Sequence, residues 1–179
     1  MLRRALAALT IGTALVLALL AWPVRLPASI KVPKFRKAAP DFALIDSHGT
    51  AVRLTDFKGK VVLLDFWATW CHGCKIEIPW YEEFQRKYKD RGLSVIGVSM
   101  DDDGWKSVKP FLQSNKLNYP IVVGNQDLAK QYSVASMPVT LLIDREGRIA
   151  DSHSGMVSKH AFEREILTLL QEGGEHRAK

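Results

Sequence analysis

The segment Asp65-Phe-Trp-Ala-Thr-Trp-Cys-His-Gly-Cys-Lys75 sets two cysteines, Cys71 and Cys74, between an apolar run and an amphipathic one. Upstream, Val61-Val-Leu-Leu-Asp-Phe66 is short, apolar and β-branched at its start, which suits a central strand buried on both faces. Downstream, Trp80, Tyr81, Phe84 and Tyr88 recur with charges between them, the spacing of a helix with one buried face over 75–88. Cys71 therefore falls at a helix N-terminus. Unpaired backbone N–H groups and the positive end of the helix dipole favour a thiolate there, and thiol pKa values in such places fall to about 3.5–7.5. A thiolate of that kind attacks a partner's disulfide. Cys74, one turn further on and expected to be more buried, then attacks the mixed disulfide and releases the product.

Other readings of a C-x-x-C pair compete with redox catalysis. A structural cross-link closing so small a ring contributes little in the chain-entropy account. Two thiolates supply half of a tetrahedral zinc shell, and no second Cys or Cys/His pair has the spacing to complete it. Haem attachment through C-x-x-C-H is excluded, because Lys75 follows Cys74. The pair is the chain's whole cysteine inventory, which suits an exported domain, where a third thiol would trap wrong disulfides.

Outward from this segment the pattern is α/β. Phe42–Asp46 and Ala51–Leu54 flank the turn Ser47-His-Gly-Thr50 and predict a hairpin. Leu93–Met100 is a second buried strand. Trp105, Val108 and Leu112 predict an amphipathic helix interrupted or kinked at Pro110. Ile121–Val123 follows as a short strand and Asp127–Tyr132 as a short helix. Val139–Asp144 and Ile149–Ser154 form an antiparallel hairpin, and Phe162, Ile166, Leu169 and Leu170 mark a last helix. Strands alternating with helices and ending in a hairpin predict a sandwich around a mixed sheet.

The net charge of +6 is local. Residues 1–37 hold seven basic side chains (Arg3, Arg4, Arg25, Lys31, Lys34, Arg36, Lys37) and no acidic one, leaving 18 basic against 19 acidic groups elsewhere. Nucleic-acid binding needs a basic excess on the folded body; here the excess flanks an apolar stretch, where anionic lipid headgroups are the natural partner. Ala5–Trp22 is uncharged over eighteen residues and as a helix spans roughly 27 Å, enough for the hydrocarbon core. We expect residues 1–4 as a tail, 5–22 as a single transmembrane anchor or uncleaved signal, 23–39 as a basic linker and 40–179 as the folded domain. A signal peptide cut after Val16-Leu-Ala18 is the competing reading. The proline-containing stretch Lys31–Ala39 has no sustained apolar period and reads as a tether.

The active segment resembles that of thioredoxins, and Met137-Pro138 resembles the cis-proline of the same superfamily. The anchor, Ala39-Pro-Asp-Phe42, Phe66-Trp-Ala-Thr-Trp70 and Pro138-Val-Thr-Leu-Leu-Ile-Asp144 resemble the membrane-tethered TlpA/ResA branch. The resemblance covers roughly residues 39–172. It implies a thioredoxin-like three-layer sandwich with an N-terminal β-hairpin extension and an inserted αβ element between Ser99 and Pro138. It also implies a bacterial thiol–disulfide oxidoreductase with no cofactor beyond its redox-active disulfide. The partners implied are protein thiols and disulfides, apocytochrome c among them, and a membrane thiol shuttle as electron donor. The expected setting is a monomer in the cell membrane with its catalytic domain on the extracytoplasmic, periplasmic side.

Carried over position by position, the resemblance makes Asp65 the buried aspartate that takes the proton of the resolving thiol. A carboxylate in a dry core is costly without such a task; a hydrogen-bonded strand residue is the plainer alternative. Glu77, three residues after Cys74, matches the acidic residue of ResA-like proteins, against the plainer reading of a solvated helix carboxylate. Which acid serves Cys74 is open. Trp70, His72, Gly73, Met137 and Pro138 are the expected substrate-binding residues, with the Met137 main chain offered to an extended substrate as an added strand, and Trp67 is either core or part of the same face.

The chain departs from the family at His72-Gly73, where thioredoxins have Gly-Pro. A protonated histidine beside Cys71 would favour the thiolate and make the protein a better oxidant than its Gly-Pro relatives. Asp101-Asp-Asp103 reads as helix-capping residues, and His48, His153, His160 and His176 have no mutual spacing of note. A peroxiredoxin-like peroxidase is the nearest rival, but its Pro-x-x-x-Thr/Ser-x-x-Cys pattern is absent. A copper- or haem-handling protein binding through Cys71 and Cys74 is the rival from another class.

Overall fold

A computed structural model describes residues 30–172. In chain order the elements are β1 (Lys37–Ala38), β2 (Ala43–Ile45), β3 (Ala51–Arg53), β4 (Val61–Trp67), α1 (His72–Tyr88), β5 (Leu93–Ser99), α2 (Trp105–Ser114), β6 (Ile121–Val123), α3 (Gln126–Gln131), β7 (Val139–Ile143), β8 (Arg148–Ser154) and α4 (Lys159–Glu172). The main sheet has the order β1-β8-β7-β4-β5-β6. β4 pairs parallel with β5 and antiparallel with β7, so the sheet is mixed.

The apolar runs at Val61–Phe66 and Leu93–Met100 become the two central strands, buried at every position. Their alternate side chains feed two cores. Leu63, Trp67 and Val95 face α1, α2 and α4, meeting Tyr81, Phe84, Val108, Phe162 and Ile166. Val62, Leu64, Phe66, Ile96 and Val98 face the other way, meeting Phe42, Val52 and Leu54 around the β2–β3 hairpin and Leu128 of α3. The result is three layers, with α2 and β6 supplying the extra αβ element. The hairpin is tied to β6 by a bridge between Asp46 and Val122, and the Tyr132 hydroxyl donates to the Pro40 carbonyl beneath it.

The tether expected over 31–39 is instead part of the fold, as is Ile30 before it. Ile30 is buried, Lys31 N–H donates to the Ala150 carbonyl at 2.9 Å, and β1 pairs with β8. The Arg36 guanidinium is fully buried, 3.2 Å from Asp144 Oδ2 and doubly bonded to Glu172 at 2.7 and 2.8 Å. A basic stretch without apolar period looks solvated in sequence; here backbone pairing to an edge strand and distant carboxylates draw it in. The apolar segment 5–22 lies outside the described residues, and among those described no helix is long and apolar enough to cross a membrane.

Candidate active site

β4 ends at Trp67, and a tight turn carries the chain to Cys71, whose N–H donates to the Ala68 carbonyl at 3.1 Å. Cys71 is the N-cap of α1, its Sγ accepting from the Cys74 N–H at 3.2 Å. Serine, threonine, aspartate and asparagine usually hold such a position; a sulfur there lies against the positive end of the helix and its free N–H groups. Cys71 and Cys74 form a disulfide with Cα atoms 5.4 Å apart. Cys74 is 1% exposed and Cys71 5%, the order expected of a resolving and an attacking sulfur.

The other expected residues separate into a surface and a buried layer. Trp70 stands out from the turn, 65% exposed, and His72 is exposed at the first position of α1. Trp67 is core, its ring 5.0 Å from that of Phe111. Met137–Pro138 is a cis peptide immediately before β7. It abuts the active turn, since a Cβ on Gly73 would lie 3.4 Å from Pro138 Cδ and 3.1 Å from Met156 Cγ. Glycine at 73 thus lets the proline loop and Met156 close against the cysteines. Met156 itself, more than half exposed in the loop after β8, was not visible as a site residue.

Asp65 and Glu77 lie beneath, both buried. Asp65, in the middle of β4, has no protein hydrogen-bond partner on either carboxylate oxygen among the described residues. Burial, and secondarily the nearby Glu77, push its pKa well above the usual carboxylate range. Glu77 is not the solvated helix residue of the plainer reading. It accepts from the Tyr81 hydroxyl at 3.2 Å and from the Val157 N–H at 3.4 Å. Burial raises its pKa, while those two bonds and His153 work in the opposite direction. The structure thus buries both acids close enough to oppose each other's ionisation, with Glu77 one turn after Cys74 on α1.

Asp101 is a residue whose place the sequence did not reveal. It is buried and does not cap α2, whose N-cap is Gly104 without a side-chain bond. Its carboxylate accepts from the Thr69 N–H at 3.0 and 3.2 Å, the Thr69 hydroxyl at 2.5 Å and the Ser99 hydroxyl at 2.7 Å. The only trace in sequence was an aspartate just past a strand end. His153 likewise had no sequence signal; it lies 2.7 Å from Glu165 Oε2 and 3.6 Å from Asp151 Oδ2, an ion pair at the edge of the sheet. Among the described residues no third ligating side chain clusters with the two cysteine sulfurs.

A cysteine pair capping a helix, backed by buried acids and faced by a cis-proline loop, defines a dithiol–disulfide oxidoreductase on a thioredoxin-like scaffold. The chain belongs to the AhpC/TSA family, whose family model matches residues 35–152. It is 37% identical over 132 residues to the thiol-disulfide oxidoreductase ResA of Geobacillus kaustophilus, covering 73% of this chain and 75% of that protein. It is 38% identical over 130 residues to the thioredoxin-like protein YneN of Bacillus subtilis, covering 72% and 76%. A Chlorobium tepidum structure assigned as thiol:disulfide interchange protein DsbE superposes with a TM-score of 0.72 at 36% identity, over 75% of this chain and 96% of that one.

Proposed function

We propose that the chain is a membrane-anchored reductant of protein disulfides on the extracytoplasmic side of a bacterial cell, with the cysteines of apocytochrome c among its substrates. The observation that carries this reading is the sulfur of Cys71 at the N-terminus of α1, disulfide-bonded to a buried Cys74 one turn before the buried Glu77. In the reduced protein, the Cys71 thiolate attacks a substrate disulfide, and one substrate sulfur leaves as a thiolate and takes up a proton. Cys74 gives its proton to a carboxylate behind it and attacks Cys71 Sγ; the second substrate sulfur leaves with the bonding pair. The substrate gains two electrons and the Cys71–Cys74 disulfide forms. A membrane dithiol carrier then returns two electrons and the protons.

The exposed indole of Trp70, Gly73 and the loop of Met137 and Pro138 supply the docking face, with an extended substrate segment running along the main chain of Met137. His72 directly follows the attacking cysteine, and a positive charge at that position favours its thiolate.

The test is the reduction potential of the purified full chain, followed through tryptophan fluorescence against thiol buffers. A value near about −270 mV or lower supports a reductant. A value near about −120 mV would make the protein an oxidant and overturn the reading. A Cys74→Ser variant should trap mixed disulfides with its substrates in cells, and their identification decides whether apocytochrome c is among them.

A further inference from the structure

β8 carries Asp151 and His153, and α4 brings Glu165 against them. Asp151 stands opposite Leu142 of β7 and His153 opposite Thr140. Leu142 and Thr140 are alternate positions of one strand, so Asp151 and His153 share a face of the sheet. An extra residue makes this so. Between Ile149, opposite Ile143, and Asp151, opposite Leu142, β8 inserts Ala150 as a β-bulge. Ile149 packs against the core on the hairpin side and Ala150 into the other core. In plain alternation Asp151 would follow Ile149, and the bulge turns it back towards α4. There a carboxylate oxygen from each acid and a ring nitrogen of His153 lie within 4.8 Å of one another. His153 Nε2 is 2.7 Å from Glu165 Oε2 and 3.6 Å from Asp151 Oδ2, and both acids are buried.

One ring nitrogen presents at most one proton, and here two carboxylates converge on it. The hydrogen bond goes to the nearer, Glu165. Asp151 Oδ2 is buried and has no hydrogen-bond partner among the described residues. Its sister oxygen accepts from the Ser152 N–H at 2.8 Å, which fixes the carboxylate with Oδ2 towards the histidine. An edge-on contact with Phe162, 5.0 Å between centroids, fixes the ring. A buried carboxylate oxygen without a donor is costly, and a cation at the point of convergence would satisfy all three side chains.

We propose that Asp151, His153 and Glu165 form a binding site for a divalent transition-metal ion of the zinc class, which clamps α4 to β8. The ion takes the place of the Nε2 proton, which passes to solvent, and each residue supplies one ligand atom. Bonds of about 2.0–2.2 Å to nitrogen and carboxylate oxygen put neighbouring ligand atoms about 3.0–3.4 Å apart. The observed 2.7 and 3.6 Å bracket that spacing, so small side-chain shifts suffice. A neutral imidazole and two carboxylates balance a dication, and the imidazole donor favours zinc over the all-oxygen preference of calcium or magnesium. The Ser152 N–H is the outer contact that orients a ligating carboxylate. The His153 side chain is 12% exposed, which gives the ion an entry from solvent and room for a water as a further ligand. The site draws on β8 and α4 and on neither cysteine, so it lies beyond the exchange reaction itself.

The experiment is zinc binding to the oxidised full chain, first freed of metal with a chelator, so that the disulfide withholds both sulfurs. Calorimetry should give one ion per chain, and nitrogen-15 spectra should show the His153 Nε2 resonance displaced as zinc is added. Asp151→Asn is the discriminating variant. Its amide oxygen can still accept from Ser152, and Oδ2 has no hydrogen bond to lose, so the fold should be kept. Loss of an outer-shell partner alone costs about 10–100-fold in metal affinity, and loss of this ligand should weaken zinc binding by about tenfold or more. Saturating zinc should raise the melting temperature of the wild type and leave that of His153→Gln unmoved. A His153 resonance that zinc does not move overturns the proposal, as does an Asp151→Asn protein that binds as tightly as the wild type. A wild-type dissociation constant of about 1 mM or weaker overturns it too; the three residues are then an ion pair with a second carboxylate beside it.

Discussion

Thr69 donates both its backbone N–H and its hydroxyl to the carboxylate of Asp101, at 2.5 to 3.2 Å. The bond crosses from the turn before Cys71 to the end of β5, and Ser99 adds a further donor. It holds the turn that presents Trp70 without any contact to the sulfurs. Asp101→Ala strands the buried Ser99 hydroxyl and the half-buried Thr69 donors and should destabilise the oxidised protein by about 1–2 kcal/mol in urea unfolding. Exchange with a protein disulfide should slow more than exchange with a small one, because the loosened turn carries the docking surface. Equal slowing for both substrates would place the effect on the sulfurs instead.

Asp65 makes stability depend on pH in a direction opposite to that of a salt-bridged aspartate. Its folded pKa is raised, so between the unfolded value, about 3.9, and the folded one the native state holds a proton the unfolded state has lost. Stability falls as pH rises through that window, by about 1.4 kcal/mol per unit. Asp65→Asn should therefore be more stable than the wild type at neutral pH, with the gain vanishing towards pH 4. Urea unfolding of the oxidised proteins at both ends of this range measures it, and a gain independent of pH would contradict it.

Arg36 anchors the N-terminal segment to Asp144 and Glu172 from a fully buried position. Removing it as Arg36→Ala leaves Asp144 buried with Arg148 as its remaining ion-pair partner. The expected loss is about 3 kcal/mol or more, the scale for breaking a buried pair from one side. Chemical denaturation is the check; a loss below about 1 kcal/mol would mean that β1 and Ile30 hold the segment without it.

His72 is exposed at the start of α1, directly after the attacking cysteine in the chain. If its charge favours the Cys71 thiolate, His72→Ala should make the reduction potential more negative by about 10–30 mV, where 30 mV corresponds to about 1.4 kcal/mol. An unchanged potential would leave the histidine as a spacer.

The parts of this molecule that could be read from the chain are those whose cause is local. The run Val61–Phe66, the cysteine pair and the helix after it lie within thirty residues, and each announces itself by period or spacing. Asp65 stood out because a carboxylate interrupts an apolar strand. Glu77 had no such contrast: on a charged helix, nothing local says that its turn faces the core. Arg36, Asp101 and His153 were obscured because each has a partner on another element, whose approach no local period announces. Arg36 meets Asp144 across 108 residues, Asp101 meets Thr69 across 32, and His153 meets Glu165 on another element. Pairing of this kind is a property of the assembled layers.

The pairing of β1 with β8 bears on how far the enzyme can travel. Ile30 is buried in the domain and the apolar stretch of sequence ends at Trp22, so seven residues, 23–29, separate them. Fully extended, seven residues reach roughly 25 Å. On the proposed anchoring this is a short leash, less than the breadth of a small domain. The disulfide would patrol a thin shell of space against the lipid, and its clients would be polypeptides met there as they emerge, rather than proteins diffusing freely through the compartment.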